Sequence, residues 1–170
     1  MVEKARNLRE ERDVANTIEL YADTVIRVCS LYFGVRPERD DAFQDTFLKY
    51  ALSETQFNGE EHRKAWLIRV ATNVCKDALK KAEAKTVLLD EFDDASRPQW
   101  QPESESGEQA SQLTEALRGL DERYRIPLYL KYYEGYSAAE IAKMTDVPEN
   151  TVYTNLARGR EKLKEVLARE

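Results

Sequence analysis

Asn150, Thr151, Thr154 and Arg158 fall one, three and four residues apart in a segment whose other face carries Val152, Leu156, Gly159 and Leu163. Amide, hydroxyl and guanidinium groups on one helix face donate and accept hydrogen bonds at base edges, which is how a helix reads a major groove. Tyr153 stands at the flank of that face. Arg160, Lys162 and Lys164 follow with charges suited to phosphates, which fix a protein's register on DNA without reading sequence. A second set lies upstream, where Arg69, Asn73, Lys76 and Lys80 are spaced four, three and four residues apart, with Lys81 beside them. That spacing makes one basic stripe with an amide inside it. A solvated charged face is the plainer reading of either set alone. Two sets in one chain raise the reading in which both grip nucleic acid, and Phe57, in the loop ahead of the stripe, offers a ring on which an unstacked base could rest.

The element that must present the downstream set is a helix-turn-helix over Tyr136 to Leu163. Ser137 with Glu140 three residues later forms a capping box that opens the first helix. Ile141, Ala142 and Val147 on one side and Val152 and Leu156 on the other make a small apolar joint, with Ala142 small enough for close approach. Asp146 occupies the bend, where a left-handed residue is needed, and aspartate tolerates that conformation better than most residues. Pro148 is expected at the first position of the second helix, since its fixed φ suits that place.

Composition excludes several classes of function. The chain has 170 residues, 42% hydrophobic and 34% charged, a balance that supports a packed core. No apolar run approaches the roughly 20 residues needed to span a bilayer, and no signal peptide precedes the first helix, so a soluble cytoplasmic protein without direct membrane insertion is expected. Cys29, Cys75 and the single histidine, His62, make a poor set of zinc ligands, and the two cysteines lie on apolar faces as core thiols. There is no glycine-rich phosphate loop and no nucleophile with a histidine partner in evidence, so neither catalysis, a metal nor a cofactor is expected.

Charge is distributed unevenly. The net charge of −6 argues against a protein held to nucleic acid by bulk electrostatics. From His62 to Lys85 seven bases face two acids, a net +5, whereas from Thr86 to Gln112 seven acids face one base, a net −6. That step, with Pro98, Pro102, Gly107 and several serines beyond it, marks a linker. The expected fold is all-α: a helical domain over 1–85, an acidic flexible linker over 86–112, and a helix-turn-helix domain over 113–170. Some 27 linker residues span about 30 Å relaxed and about 90 Å extended. The first domain is expected to hold helices near 14–33, 38–52 and 64–81, with Gly34 as a left-handed cap and Ser53 to Arg63 as a polar loop. In the second, Pro127 falls early in a helix starting near Asp121 and removes one backbone hydrogen bond.

Three stretches together resemble bacterial RNA polymerase sigma factors, specifically the small two-domain extracytoplasmic-function group of the sigma-70 family. DDAFQDTFLKYA (Asp40 to Ala51) is similar to that family's acidic-Gln-acidic-aromatic helix, KAWLIRVATNVCKDALKK (Lys64 to Lys81) to its Trp-Leu, Arg, Asn, basic-pair helix, and LDERYRIPLYLKYYEGYSAAEIA, from Leu120, to the entry of its C-terminal domain. The likeness covers nearly the whole chain. It implies that Asp41, Gln44 and Asp45 dock on the polymerase, and that the loop Phe57 to Arg63, including His62, joins Asn73 in reading the −10 promoter element and holding a flipped base. Arg69, Lys76, Lys80 and Lys81 would then neutralise phosphates. The −35 element would be read by Asn150, Thr151, Tyr153, Thr154, Asn155, Arg158 and Arg160. Tyr153 and Asn155 stand where the family commonly has Lys and Arg, and Asp146 where it has Gly, so the distal specificity of this chain is its own. The implied partners are core RNA polymerase, promoter DNA and, as for other members, an anti-sigma factor. From the residues alone two other readings stand beside this one: a dimeric helix-turn-helix regulator that acts on duplex DNA, and a helical interaction protein with no DNA role.

Overall fold

The computed structural model describes residues 8–89, 116, 117 and 119–169. Among these there are helices, turns and bends but no strands. The helices are α1 (Glu11–Phe33), α2 (Pro37–Leu52), α3 (Glu60–Leu89), α4 (Glu122–Tyr132), α5 (Ala138–Thr145) and α6 (Glu149–Ala168). The chain falls into two compact units, one of Met1–Cys29 with Pro37–Asp90 and one of Ser30–Arg36 with Glu91–Glu170. Most of the expected acidic linker, from residue 90 onward, lies outside the described residues.

In the first unit the acidic residues Glu11 and Asp13 sit in the opening turn of α1, where they complement the helix dipole. Its last residues, from Ser30, belong to the second unit, and the helix stops at Gly34, whose φ of 64° supplies the left-handed cap while its N–H donates to the Ser30 carbonyl at 2.8 Å. Pro37 takes the first position of α2, where a missing N–H costs nothing. The core is formed where α2 meets α3: Tyr50, Leu67, Ile68, Ala71 and Cys75 are fully buried. Thr46 is buried among them and donates its hydroxyl to the Ala42 carbonyl at 2.8 Å. Cys29 and Cys75 are both buried thiols.

Helix α3 is longer than the periodicity predicts at both ends. It begins at Glu60, with Glu60 and Glu61 in its first turn, and runs through Leu89. Ala82, Glu83, Ala84 and Lys85 are strong helix formers with no glycine or proline among them, so the helix continues across the first residues assigned to the linker.

Side-chain bonds tie α1 to the rest of its unit. The Tyr50 hydroxyl donates to Asp13 at 2.8 Å and accepts from the Thr17 hydroxyl at 3.1 Å. The Tyr21 hydroxyl donates to the Glu60 carboxylate, which also accepts from Arg63 at 2.6 Å. Burial, reinforced by the Glu60 hydrogen bond, pushes the Tyr21 hydroxyl up to about 12. An unfolded tyrosine ionises near 10. Between those values the unfolded chain has released a proton that the folded chain keeps, so this contribution to stability is intact below about pH 10 and lost as pH rises towards the folded value. Replacing Tyr21 by Phe is therefore expected to flatten the alkaline fall in the first unit's unfolding midpoint, measured by circular dichroism between pH 9 and about 12.

The second unit packs α4 against α6, with α5 bridging both. Residues 124–130 of α4 are buried without a break. The helix continues past Pro127 to Tyr132. Arg125 is buried, and its guanidinium serves three backbone carbonyls, those of Leu117 at 3.2 Å, Leu120 at 2.6 Å and Leu31 at 2.7 Å. Desolvation lowers its pKa. Gly159 lets α4 and α6 approach closely: a Cβ there would stand 3.0 Å from Leu128 Cδ1 and 3.2 Å from Tyr124 Cβ. The absent side chain thus sets the distance at which α6 crosses α4.

Candidate nucleic-acid interface

The helix-turn-helix forms as its local chemistry requires. Ser137 accepts from the Glu140 N–H at 3.2 Å while the Glu140 carboxylate accepts from the Ser137 N–H at 2.8 Å, closing the capping box. Asp146 adopts φ 54° and ψ 44°, the left-handed conformation expected at the bend. The Ala142 carbonyl accepts from both the Asp146 N–H and the Val147 N–H, the latter at 3.2 Å. Pro148 caps α6 from outside with ψ 142° and is not its first helical residue. Its carbonyl accepts the Val152 N–H at 3.0 Å, so the proline directs the chain into the helix one position earlier than expected.

Asp146 carries a left-handed strain that glycine would not. Asp146→Gly is expected to stabilise the second unit by roughly 0.5 to 1 kcal/mol, read as a shift of its chemical-denaturation midpoint with the slope unchanged.

Val152, Leu156 and Gly159 are buried along one side of α6, and α5, whose Ile141 is fully buried, packs against the same helix. The opposite side exposes Asn150, Thr151, Thr154 and Arg158, with Tyr153 exposed at the flank and Asn155 half-buried. Thr154 donates to the Asn150 carbonyl at 3.0 Å, which leaves its oxygen turned outward as an acceptor. The Arg160 guanidinium donates to the Tyr132 hydroxyl at 2.9 Å, so the last residue of α4 holds it. The expected distal set therefore shares one surface of the second unit.

On α3 the inner face is Leu67, Ile68, Ala71 and Cys75. Arg69, Asn73, Lys80 and Lys81 are exposed on the outer side and Lys76 is half-buried. The loop ahead of α3 is less open than its polar sequence implies. Phe57 is half-buried, stacked on Tyr50 with centroids 6.0 Å apart and met edge-on by Trp66 at 5.6 Å and His62 at 5.3 Å. Guanidinium groups of Arg9 and Arg63 lie 5.0 and 5.5 Å from its centroid. Its ring is thus part of an aromatic cluster and not the bare platform that the loop position suggests. Arg63 also faces inward, donating to Glu60 and pairing with Asp13 at 3.9 Å, so two carboxylates already occupy a cation expected on DNA. The exposed His62 accepts the Asn58 N–H at Nδ1, 3.1 Å away.

Asp41, Gln44 and Asp45 are exposed on α2. Leu48, 56% exposed, and Leu52 continue the same face. The polar-motif reading left these two out, although their spacing of four and eight residues from Gln44 places them there.

Two family models match the chain: sigma-70 region 2 over residues 17–85 and sigma-70 region 4 over residues 110–163. A sigma factor of Mycobacterium tuberculosis H37Rv, SigM, is 30% identical over 143 residues, 83% of this chain and 70% of that protein. The chain belongs to the extracytoplasmic-function group of sigma-70 factors. A second relative, SigW of Bacillus subtilis, is 27% identical over 164 residues, spanning 90% of this sigma factor and 88% of the other. Among solved structures, the RpoE sigma factor of Bartonella quintana in complex with the anti-sigma factor NepR superposes with a TM-score of 0.75 at 19% identity, covering 92% of this chain and 98% of that one. CnrH in complex with the cytosolic domain of CnrY gives 0.62 at 20% identity, covering 95% and 91%. These two share the all-helical fold.

Proposed function

We propose that this sigma factor binds core RNA polymerase and directs it to promoters through two reading heads of different chemistry. The exposed face of α6 reads the distal, −35 element in the major groove through Asn150, Thr151, Thr154 and Arg158, with Tyr153 and Asn155 at its edge and Arg160 on phosphate. Around α3, Asn73 and His62 of the helix and Phe57 of the loop ahead of it read the proximal, −10 element and hold a flipped base, while Arg69, Lys76, Lys80 and Lys81 neutralise phosphates of the opening duplex. Arg63 contributes from the first turn of α3. Asp41, Gln44, Asp45 and Leu48 form the surface that docks on the polymerase. The single observation that carries this reading is the amide of Asn73, exposed within a basic stripe on a helix whose other face is core. A repressor reading duplex DNA through α6 has no use for it.

The domain division follows the charge step, with a −10 domain over 1–85, a linker over 86–112 and a −35 domain over 113–170. The work is binding and not bond-making, and it needs no cofactor. Its place is the cytoplasm, beside the polymerase. No helix among the described residues is long and apolar enough to cross a membrane. An anti-sigma factor is a further expected partner, as NepR is for the similar RpoE.

Selection of initiating templates from a randomised library, using core polymerase with this sigma factor, tests the two-headed reading. Two dissimilar blocks on the order of 50 Å apart are expected, with Arg158→Ala relaxing only the distal one. A single palindromic block would identify a dimeric regulator instead.

A further inference from the structure

We infer that Arg9 is a positioning residue for the loop that reads the proximal promoter element, an inference that rests on the reading of that loop proposed above. Arg9 lies ahead of α1 and ahead of residue 17, where the match to sigma-70 region 2 begins. Its backbone N–H donates to the Ala51 carbonyl at 2.9 Å, and its Nε donates to the Tyr50 carbonyl at 3.0 Å. Both carbonyls belong to the last turn of α2, whose acceptors have no partners within the helix. The backbone N–H meets the Ala51 carbonyl and the guanidinium that of Tyr50, where its charge complements the negative end of the dipole. The same side chain donates to the Thr55 carbonyl, in the middle of the irregular stretch between α2 and α3.

The guanidinium plane also lies 4.5 Å from the Tyr50 centroid and 5.0 Å from that of Phe57. It thus meets both members of the stacked pair that fixes Phe57. Asp13, one turn along α1, holds Arg9 in place at 3.7 Å. The same carboxylate accepts from the Tyr50 hydroxyl and pairs with Arg63. One side chain therefore joins the end of α2, the loop backbone at Thr55 and the ring of Phe57.

The loop's other bonds are short in sequence range. Ser53 donates its backbone N–H to Tyr50 at 3.1 Å and its hydroxyl to Thr55 at 2.8 Å, and Asn58 bonds His62 at 3.1 Å. These join the two ends of the loop to α2 and α3, the helices that flank it. The tie to the N-terminal segment is made by Arg9, across 46 residues to Thr55. Arg9 does not itself reach DNA in this account. It sets where Phe57 and His62 stand when a base arrives, and lysine cannot replace it, because an ammonium lacks the planar fork that serves two carbonyls while lying against two rings.

The experiment measures base preference at every position of both promoter elements with core polymerase and the full chain carrying Arg9→Gln, Arg9→Lys or Asn73→Ala. Arg9→Gln is expected to flatten the proximal preference by about tenfold, the scale of one lost base contact, with distal preference and core affinity within about twofold, a change too small to report a lost contact. Arg9→Lys is expected to recover less than half of the loss on a logarithmic scale. Backbone amides of residues 53–59 are expected to exchange hydrogen faster in Arg9→Gln while those of α3 beyond Leu67 keep their protection. Unchanged proximal preference in Arg9→Gln, alongside a clear effect of Asn73→Ala, would overturn the positioning role while leaving the two-headed reading intact. An equal loss at both elements and in core affinity would also overturn it, reducing Arg9 to support of the fold. No effect from Asn73→Ala would instead strike the proposed function of the loop itself.

Discussion

Asn73→Ala is expected to lower initiation from duplex promoters by about ten- to a hundredfold, the range of one specific base contact, while leaving folding and polymerase affinity unchanged. Asn73 is exposed on α3, and its neighbours Ala71, Val74 and Cys75 carry the packing. Truncating an exposed side chain away from caps and networks changes stability within about 0.5 kcal/mol. The predicted loss is therefore one of recognition and not of structure. The defect should shrink on templates whose proximal element is already unpaired, because the cost of unstacking the base no longer has to be offset there. Single-round transcription on duplex and pre-melted templates measures both quantities. An equal defect on the two would remove Asn73 from the capture of a flipped base.

The second large effect concerns salt. Replacing Arg69, Lys76, Lys80 and Lys81 together by Ala is expected to make the dependence of log K on log salt for promoter binding shallower by about three, since each phosphate contact contributes about 0.7 to 0.9 through counterion release. Affinity at low salt should fall by orders of magnitude, and the preference among promoter sequences far less, because phosphate contacts position without specifying. The chain as a whole is acidic, at −6, so this localised stripe has to supply the attraction that bulk charge does not. A slope indistinguishable from the parent would mean that the stripe is only the solvated face of α3.

Much of the second unit was legible in the sequence because its signals are local. The capping box joins residues three apart, the left-handed bend depends on one aspartate, and the apolar joint of Ile141, Val152 and Leu156 follows helical periodicity. The surface expected of α6 is the one observed. Pro148 was misplaced by one position, since proline suits both the residue before a helix and its first residue, and sequence does not distinguish them.

The first unit was legible in its core and not in its loop. Leu67, Ala71 and Cys75 recur every four residues along one helix face, but the end of α3 was read from a change in charge, whereas helix continuation depends on propensity and the absence of breakers. The inward turn of Arg63 and the burial of Phe57 depend on Asp13, Tyr50 and Arg9, with contacts that run from 7 positions, Tyr50 to Phe57, to 50, Asp13 to Arg63. No periodic pattern carries such pairings. Arg9, before the first helix and outside every motif, gave no signal at all.

The central claim is that this chain acts as the promoter-selecting subunit of RNA polymerase. Purified chain added to core polymerase on a supercoiled library of genomic fragments, with every transcript start mapped, tests it most directly. The account predicts a set of start sites that appear only with the chain, share two separated sequence blocks, and are lost with Asn73→Ala. Start sites identical with and without the chain, under conditions where it is folded and in excess over core, would contradict it.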